Sequence, residues 1–544
     1  MGKWSSLLKL RPFLKKYRVI LFFGVLGFVL SALLATPVPY LIGNLLDKVL
    51  MGSQSYQGLY LYCGGIAALY LLNYGVSLLS KNLFVRMSNG VVNELRYSVM
   101  EKVLDLPMSY LANTEKGYVQ SRIGECSSVG SLFSPMIVSI FLSVISAIFA
   151  AITMFAVNYK LALVVTILAP VFFFASKAST KGFMANTKAM MESNAVLNGE
   201  SFEIMNGVED IKVLGGKSGH LRHFRDKIGE LVRFSVKQSR SMILFTENIG
   251  LINNAGTLLI LLISGILILK GQFTVGLYTS FSLYSVKVFA STQGIATLST
   301  SLKPVCLSIE RLYELLDMRG ENDGRDENLE SGITSVEFRD VGFHYKDGLP
   351  EVFGGVSFRL QKGDRVLLKG ENGSGKTTLV KLLLGLYNPT SGEVLLSGRD
   401  AARINRDRLR QHIGIVSQNI FLFRGTVLSN ILYGREDKTR RDVEELVADL
   451  GLGGYIDRLS AGLDTEITQN TSGVSGGQAQ IIAFLRTLLS GKDMLILDEP
   501  VSNVDLETRN LIAGILRERA YGGILLVISH QTEGLDFFDK VIEM

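Results

Sequence analysis

Gly370-Glu371-Asn372-Gly373-Ser374-Gly375-Lys376-Thr377 lies between Arg365-Val366-Leu367-Leu368 and Thr378-Leu379-Val380-Lys381-Leu382-Leu383-Leu384. The first flank predicts a short buried strand, and the second predicts a helix whose N-terminus faces the glycine-rich loop. Glycines at this spacing let successive backbone N–H groups turn toward phosphate. Lys376 can then reach the β and γ phosphates, and the Thr377 hydroxyl can ligate Mg2+. A strand, phosphate loop and helix in this order specify an α/β P-loop nucleotide-binding domain.

Further along, Met494-Leu495-Ile496-Leu497 reads as an apolar strand ending in Asp498-Glu499. Asp498 is suited to the Mg2+ shell and Glu499 to orienting or deprotonating an attacking water. Taken alone, an Asp-Glu pair after a strand is more often a helix cap; the upstream loop reverses that reading. Ile524-Leu525-Leu526-Val527-Ile528-Ser529 is another buried-strand run and sets His530 at a strand end, within reach of a γ-phosphate.

With Val474-Ser475-Gly476-Gly477-Gln478 added, the segment from about Ser335 to Met544 resembles the nucleotide-binding domain of an ATP-binding-cassette transporter. The resemblance implies a nucleotide site of Tyr345, which stacks on adenine, with Gly370, Glu371, Asn372, Gly373, Ser374, Gly375, Lys376, Thr377, Thr378 and Gln418. It implies ATP and Mg2+ as cofactors, with the metal on Thr377, Gln418 and Asp498, and Glu499, His530 and Lys376 as the catalytic groups. Val474, Ser475, Gly476, Gly477 and Gln478 match the signature that grips ATP held by the opposite subunit, and Asp505 matches a dimer-contacting loop. One chain alone would not complete a site, so the expected partner is a second copy or a related half-transporter. Some positions depart from the pattern: Val474 replaces Leu, Ile481 stands where Arg is common, and Thr465 to Thr471 lacks a Gly-Glu-Arg-Gly run. Val474 stays apolar; in the family the other two belong to coupling rather than to hydrolysis.

Composition points to a membrane independently. The chain has 544 residues, 47% hydrophobic. Residues 1–320 hold 30 Lys/Arg against 17 Asp/Glu, whereas 321–544 hold 26 against 33. The basic half contains six apolar stretches, near 19–43, 58–79, 132–157, 160–180, 244–269 and 275–299, each close to the ~20 residues that cross a bilayer. Links after the second and fourth stretches are long and basic. The other links are short, with Lys48, Lys160 and Lys270 their only basic residues, which by the positive-inside rule places the N-terminus, long links and ATPase in the cytoplasm. Basic residues interleaved with apolar runs exclude nucleic acid as a partner. The expected localisation is a multi-pass protein of a bacterial inner or plasma membrane.

The fold class expected is multidomain: an all-α polytopic transmembrane domain of six helices, exporter-type, followed by an α/β P-loop NTPase domain. Its parts are an amphipathic elbow helix at 1–18, a transmembrane domain at 19–320 and a nucleotide-binding domain at 333–544. The basic, amphipathic 1–18 reads as an elbow on the inner leaflet rather than a cleaved signal. By position, Ser109 to Gly117 and Asn206 to Ile211 are candidates for the coupling helices of the resembling family. Cys63, Cys126 and Cys306 show neither disulfide nor metal spacing. With the first apolar run starting near residue 19, the cysteine-peptidase domain of some peptide exporters, and with it leader-peptide cleavage, is not expected.

The expected function is ATP-driven transport, exporting a peptide, amphipathic small molecule or lipid by alternating access as a dimer. Alternatives are a lipid or lipid-linked glycan flippase and, from another class, an ATP-gated channel or regulator. For the substrate cavity the polar groups are Lys287, Asn253 and Asn254, with Asn44 and Asp47 near the end of the first span. Lys287 lies about 20 Å into its span at helical rise, where it either lines a cavity and favours an anionic or polar substrate group, or else snorkels or makes a structural hydrogen bond to a neighbouring span.

Overall fold

The structure, a computed structural model, describes the chain apart from residues 1–4, 115, 326, 330–331, 347, 372, 469–473, 501–505, 519–520 and 530–536. The side chains of 5, 116–117, 136, 164, 168–169, 171–184, 296–297, 299–301 and 303 are likewise outside the description. Two compact units emerge: Met1–Leu104 with Glu115–Met318, and Asp105–Thr114 with Arg319–Met544.

The first unit is helical. Two short helices, α1 (Ser5–Leu8) and α2 (Arg11–Lys16), precede α3 (Arg18–Ala35), where the sequence reading expects a single elbow helix. The helix breaks after Ala35 because Pro37 and Pro39 lack N–H groups, and resumes as α4 (Pro37–Asn44) and a π-helical turn, Leu45–Ser53. Then come α5 (Tyr56–Asp105), α6 (Met108–Leu111), α7 (Lys116–Gly130), α8 (Pro135–Val157), α9 (Tyr159–Asn206), α10 (Val208–Val213), α11 (Lys217–Leu269) and α12 (Val275–Leu316). Among these, α6 belongs to the second unit.

At 50 residues α5 is about 75 Å long at helical rise, more than twice a ~30 Å hydrocarbon core. The long polar links of the sequence are therefore helical extensions of the spans. Among the described residues, four segments are long and apolar enough to cross a membrane: Arg18–Ser53, Tyr56–Asp105, Tyr118–Val157 and Lys217–Leu269. The stretches at 160–180 and 275–299 start the helices α9 and α12. Apolar side chains such as Leu61, Leu71, Leu79 and Leu262 face outward, as lipid contact requires.

The contact of α4 with α12 explains several polar residues. Pro39 removes the N–H that would have paired with the Ala35 carbonyl, and Lys287 Nζ donates to that carbonyl at 2.8 Å. Tyr284 Oη donates to Thr36 O at 2.6 Å and Ser280 Oγ to Pro39 O at 2.9 Å. Positions 280, 284 and 287 share one helix face. At its N-terminal end, α12 begins where Asp47 accepts from the Thr274 hydroxyl and, at 2.8 Å, from the Gly276 N–H. Gly276 cannot carry a side chain, since a Cβ there would lie 2.1 Å from the Gly43 carbonyl oxygen.

The second unit is α/β. Its four-stranded antiparallel sheet has the order β2-β1-β4-β5, from β1 (Ser335–Phe343), β2 (Phe353–Gln361), β4 (Ser391–Leu396) and β5 (Arg399–Asp400). A parallel sheet of order β11-β3-β10-β9-β6 joins β3 (Arg365–Lys369), β6 (Ile413–Val416), β9 (Met494–Asp498), β10 (Ile524–Ile528) and β11 (Lys540–Glu543). Strands β9 and β10 are buried along their whole length, which accounts for their uninterrupted apolar runs. A short pair, β7 (Gly425–Thr426) with β8 (Glu466–Ile467), leads into a helical region. The helices are α13 (Lys376–Leu383), α14 (Arg406–Gln411), α15 (Val427–Ile431), α16 (Arg440–Asp449), α17 (Gly453–Asp457), α18 (Gly476–Leu489) and α19 (Leu506–Glu518).

Asp105–Thr114, within the sequence-assigned transmembrane range, groups with this unit because the Glu321 N–H donates to the Asp105 carbonyl at 2.7 Å. The Glu321 carboxylate is in turn held by both terminal nitrogens of Arg410, at 2.6 and 2.8 Å.

Candidate functional site

Register brings the chemistry to one edge. Ile528 of β10 pairs with Leu368 of β3 on one side and with Asp498 of β9 on the other. The phosphate loop after β3, the carboxylates ending β9 and the segment after β10 thus emerge side by side at the carboxyl ends of the strands. Ligands of open parallel sheets bind at that edge.

The loop itself is built for anions. Gly373 and Gly375 adopt φ of 87° and 97°, a left-handed geometry that glycine takes without steric penalty. A Cβ on Gly375 would also meet Phe353 at 2.5 Å. Lys376 opens α13 and is buried, with its ammonium on the loop carbonyls of Gly370 (2.9 Å) and Glu371 (2.8 Å). The Ser374 hydroxyl is buried without a hydrogen-bond partner among the described residues, the condition expected of a group whose partner is a phosphate oxygen. Thr377 is exposed and Thr378 buried on the first turn of α13.

Opposite the loop, Asp498 is 5% exposed and Glu499 8%. Gln418, exposed just beyond β6, donates from Nε2 to Glu499 Oε2 at 3.1 Å, a contact the sequence did not reveal. Glu499 has φ of 53° and donates its N–H to Ile528 O at 2.8 Å. A non-glycine residue held in that region costs of order 1–3 kcal/mol, and such strain gathers at functional sites.

Tyr345 sits against the first two turns of the loop helix. Its ring meets Phe343 and Tyr387 edge-on, at 5.0 and 5.4 Å between centroids. Its hydroxyl lies 2.9 Å from Thr378 Oγ1, and Lys381 stands 5.4 Å over its ring. Beside it is a cavity of about 460 Å3 lined in part by Phe343, Tyr345, Tyr387 and, from the Asp105–Thr114 segment, Ser109. That volume lies in the roughly 300–1,000 Å3 range of small-ligand sites.

The signature forms the start of α18. Ser475 caps it, accepting from the Gln478 N–H at 3.3 Å while Gln478 Oε1 accepts from the Ser475 N–H at 2.8 Å. Val474 packs on the core, and Ser475 and Gly476 are exposed, so a helix N-terminus with its positive dipole end faces outward. Ile481 is 1% exposed in the same core. Gln480 Nε2 donates to Pro500 O at 3.1 Å, which ties α18 to the residue after Glu499. Asn372, Asp505 and His530 lie outside the described residues.

In the first unit Lys287 is engaged with the Ala35 carbonyl as described. Asn253 Oδ1 is buried with no partner among the described residues, and Asn254 is exposed. The structure places these three on different helices, α12 and α11. A signal for the Lys287 contact was present in the sequence: two prolines in the first span and three donors at helical spacing in the last.

A sheet edge with phosphate loop, paired carboxylates and signature helix, preceded by membrane-spanning helices, defines an ATP-driven membrane transporter. The profile described as "ABC transporter transmembrane region" matches residues 21–292, and the one described as "ABC transporter" matches 353–502. The chain belongs to the ATP-binding-cassette transporter family, with one membrane region and one cassette fused as in a half-transporter.

Its relatives include the uncharacterized ABC transporter ATP-binding protein YfiC of Bacillus subtilis, 27% identical over 99% of this chain and 89% of that protein. The transport/processing ATP-binding protein ComA of Streptococcus pneumoniae is 28% identical over 99% of this chain and 75% of its own length. An ATP-dependent lipid A-core flippase of Vibrio vulnificus is 26% identical over 99% and 93%.

Proposed function

We propose that two copies of this chain form an exporter of amphipathic molecules, peptide or lipid, in a bacterial plasma membrane with the ATPase units in the cytoplasm. The observation that carries the proposal is the convergence of Lys376, Asp498, Glu499 and Gln418 on one sheet edge, while Ser475 and Gly476 point outward from it. The outward signature suits a second subunit's nucleotide, so the cassettes would close head to tail. Exposed apolar side chains around α10, including Met205, Val213 and Leu214, suit a docking helix that engages a partner. Bacterial relatives and the basic long links support the membrane and its orientation.

Within a closed pair, the phosphate-loop N–H groups, Ser374 and Lys376 would hold the β and γ phosphates, and Tyr345 would stack on adenine. Thr377, Gln418 and Asp498 form an oxygen-donor set suited to Mg2+, whose chemistry there is to neutralise charge on the phosphates. Glu499 orients and deprotonates the attacking water, and Gln418 holds its carboxylate. His530, as the family resemblance implies, adds a γ-phosphate contact, and Asp505 a contact across the dimer. Among substrates, a lipid is supported by the flippase relatives, which match over 93% of their length.

The test is ATP hydrolysis by the purified chain alone in lipid vesicles, with peptide, drug-like or lipid additions. Hydrolysis stimulated by one class supports a self-sufficient dimer and names the substrate class. A well-folded chain that hydrolyses ATP only when a second, different half-transporter is added would refute the homodimer.

A further inference from the structure

Outside the nucleotide site, the first unit holds a cavity of about 440 Å3 whose lining is hydrocarbon. Leu7, Leu10 and Leu14 supply one wall from the two N-terminal helices and the turn between them; Phe28, Phe141 and Leu298 represent the walls from α3, α8 and α12. The N-terminal segment is fastened to the far end of α12. Lys9 pairs with Asp317 at 3.2 Å, Ser6 Oγ donates to Glu310 at 2.7 Å, and the Tyr313 hydroxyl donates to the Lys9 carbonyl. It is also fastened to α5 through Lys16 and Glu94 at 2.5 Å. Leu10 is buried and Leu7 and Leu14 are half-buried, so these leucines form a packed wall that the polar contacts of the segment hold in place. An apolar void opening on a membrane does not stay empty, because its lining would forfeit dispersion contacts that a lipid tail supplies.

Charge selects the kind of lipid. Arg11 follows Leu10, Lys15 follows Leu14, and Arg18 opens α3. All three are exposed, and among the described residues none has an ion pair, whereas Lys9 and Lys16 on the same segment are paired. Three uncommitted cations adjoin an acyl-sized apolar chamber in a basic amphipathic segment, the kind that lies at the headgroup level.

We propose that this cavity is a binding site for one acyl chain of an anionic phospholipid of the leaflet in which the N-terminal segment lies, with Arg11, Lys15 and Arg18 taking its headgroup phosphate. The lipid is a resident of the fold rather than cargo. Its position under the N-terminal segment and against α12 would make the setting of that segment depend on membrane composition.

Brominated-lipid quenching tests it. The single tryptophan is Trp4; Trp4→Phe with Phe141→Trp moves the fluorophore to a partly exposed position on the cavity wall. The full-length double variant is reconstituted in phosphatidylcholine with increasing phosphatidylglycerol, bromine being carried on the acyl chains of one lipid or the other. We expect phosphatidylglycerol to displace phosphatidylcholine with a preference of roughly ten-fold, the scale of one to two basic residues acting on an anionic headgroup. Arg11→Glu with Lys15→Glu, on the surface and away from the ATPase machinery, should abolish the preference while acyl-chain quenching and ATP hydrolysis persist. Equal quenching by the two lipids in the parent, or a preference unchanged in the charge-reversed variant, would overturn the proposal. So would quenching by neither lipid, the result expected if a second copy of the chain fills the cavity.

Discussion

Replacing Glu499 by Gln isolates proton transfer from everything else the residue does. The substitution keeps side-chain length, leaves an oxygen to accept from Gln418 Nε2 at the 3.1 Å separation, and preserves the N–H bond to Ile528 O. The φ of 53° is equally strained for both residues, so fold stability should not change. What disappears is the ability to take a proton from water, a contribution of roughly 10²- to 10⁴-fold to a general-base reaction, or about 3–5 kcal/mol at 1.36 kcal/mol per decade. Steady-state ATP turnover should fall by that factor, while binding of a fluorescent ATP analogue and the thermal midpoint stay near those of the parent. The ATP-bound closed pair should then accumulate, visible as a larger species on gel filtration with ATP and Mg2+. Turnover within a few-fold of the parent would refute the assignment of Glu499 as the base, since nothing else in the substitution compensates for its loss.

Other substitutions separate binding, packing and titration. Lys376→Ala removes a charge-assisted donor worth about 1.5–3 kcal/mol, so ATP affinity itself should weaken by ten-fold or more in the same fluorescence titration; unchanged affinity would contradict the phosphate role. Lys287→Met strands the half-buried Ala35 carbonyl that Pro39 leaves without its helix partner, at about 1 kcal/mol, the lower end of the range for an acceptor left unpaired. A lowered thermal midpoint in detergent is expected, and selective loss of substrate stimulation at an unchanged midpoint would instead place Lys287 in the transport cavity. Burial and the nearby Asp493 push the Tyr521 hydroxyl up to about 12 from 10.0. Because the folded state holds this proton longer than the unfolded state, the stability it contributes is intact below pH 10 and lost as pH rises from 10 to 12. Tyr521→Phe should flatten that alkaline limb in a denaturation series, and an unchanged slope would show that another group governs it.

The phosphate loop, the strand ending in Asp498-Glu499 and the signature could be read directly because each is local. Backbone conformation demands glycine at Gly373 and Gly375, buried strands demand unbroken apolar runs, and a helix start demands a residue such as Ser475. The membrane spans were equally legible, since bilayer thickness fixes their length and oxygen-poor surroundings fix their composition. Only the tertiary structure decided which distant groups meet. Strand order places β10 between β3 and β9, so residues more than a hundred positions apart reach one edge. Gln418 turns to Glu499, Lys287 to a carbonyl freed by proline 248 positions before it, and Asp105–Thr114 joins the nucleotide-binding unit. Apart from the helically spaced donors that include Lys287, these pairings leave no periodic trace, because a hydrogen bond between groups remote in the chain depends on register and packing rather than on sequence neighbours.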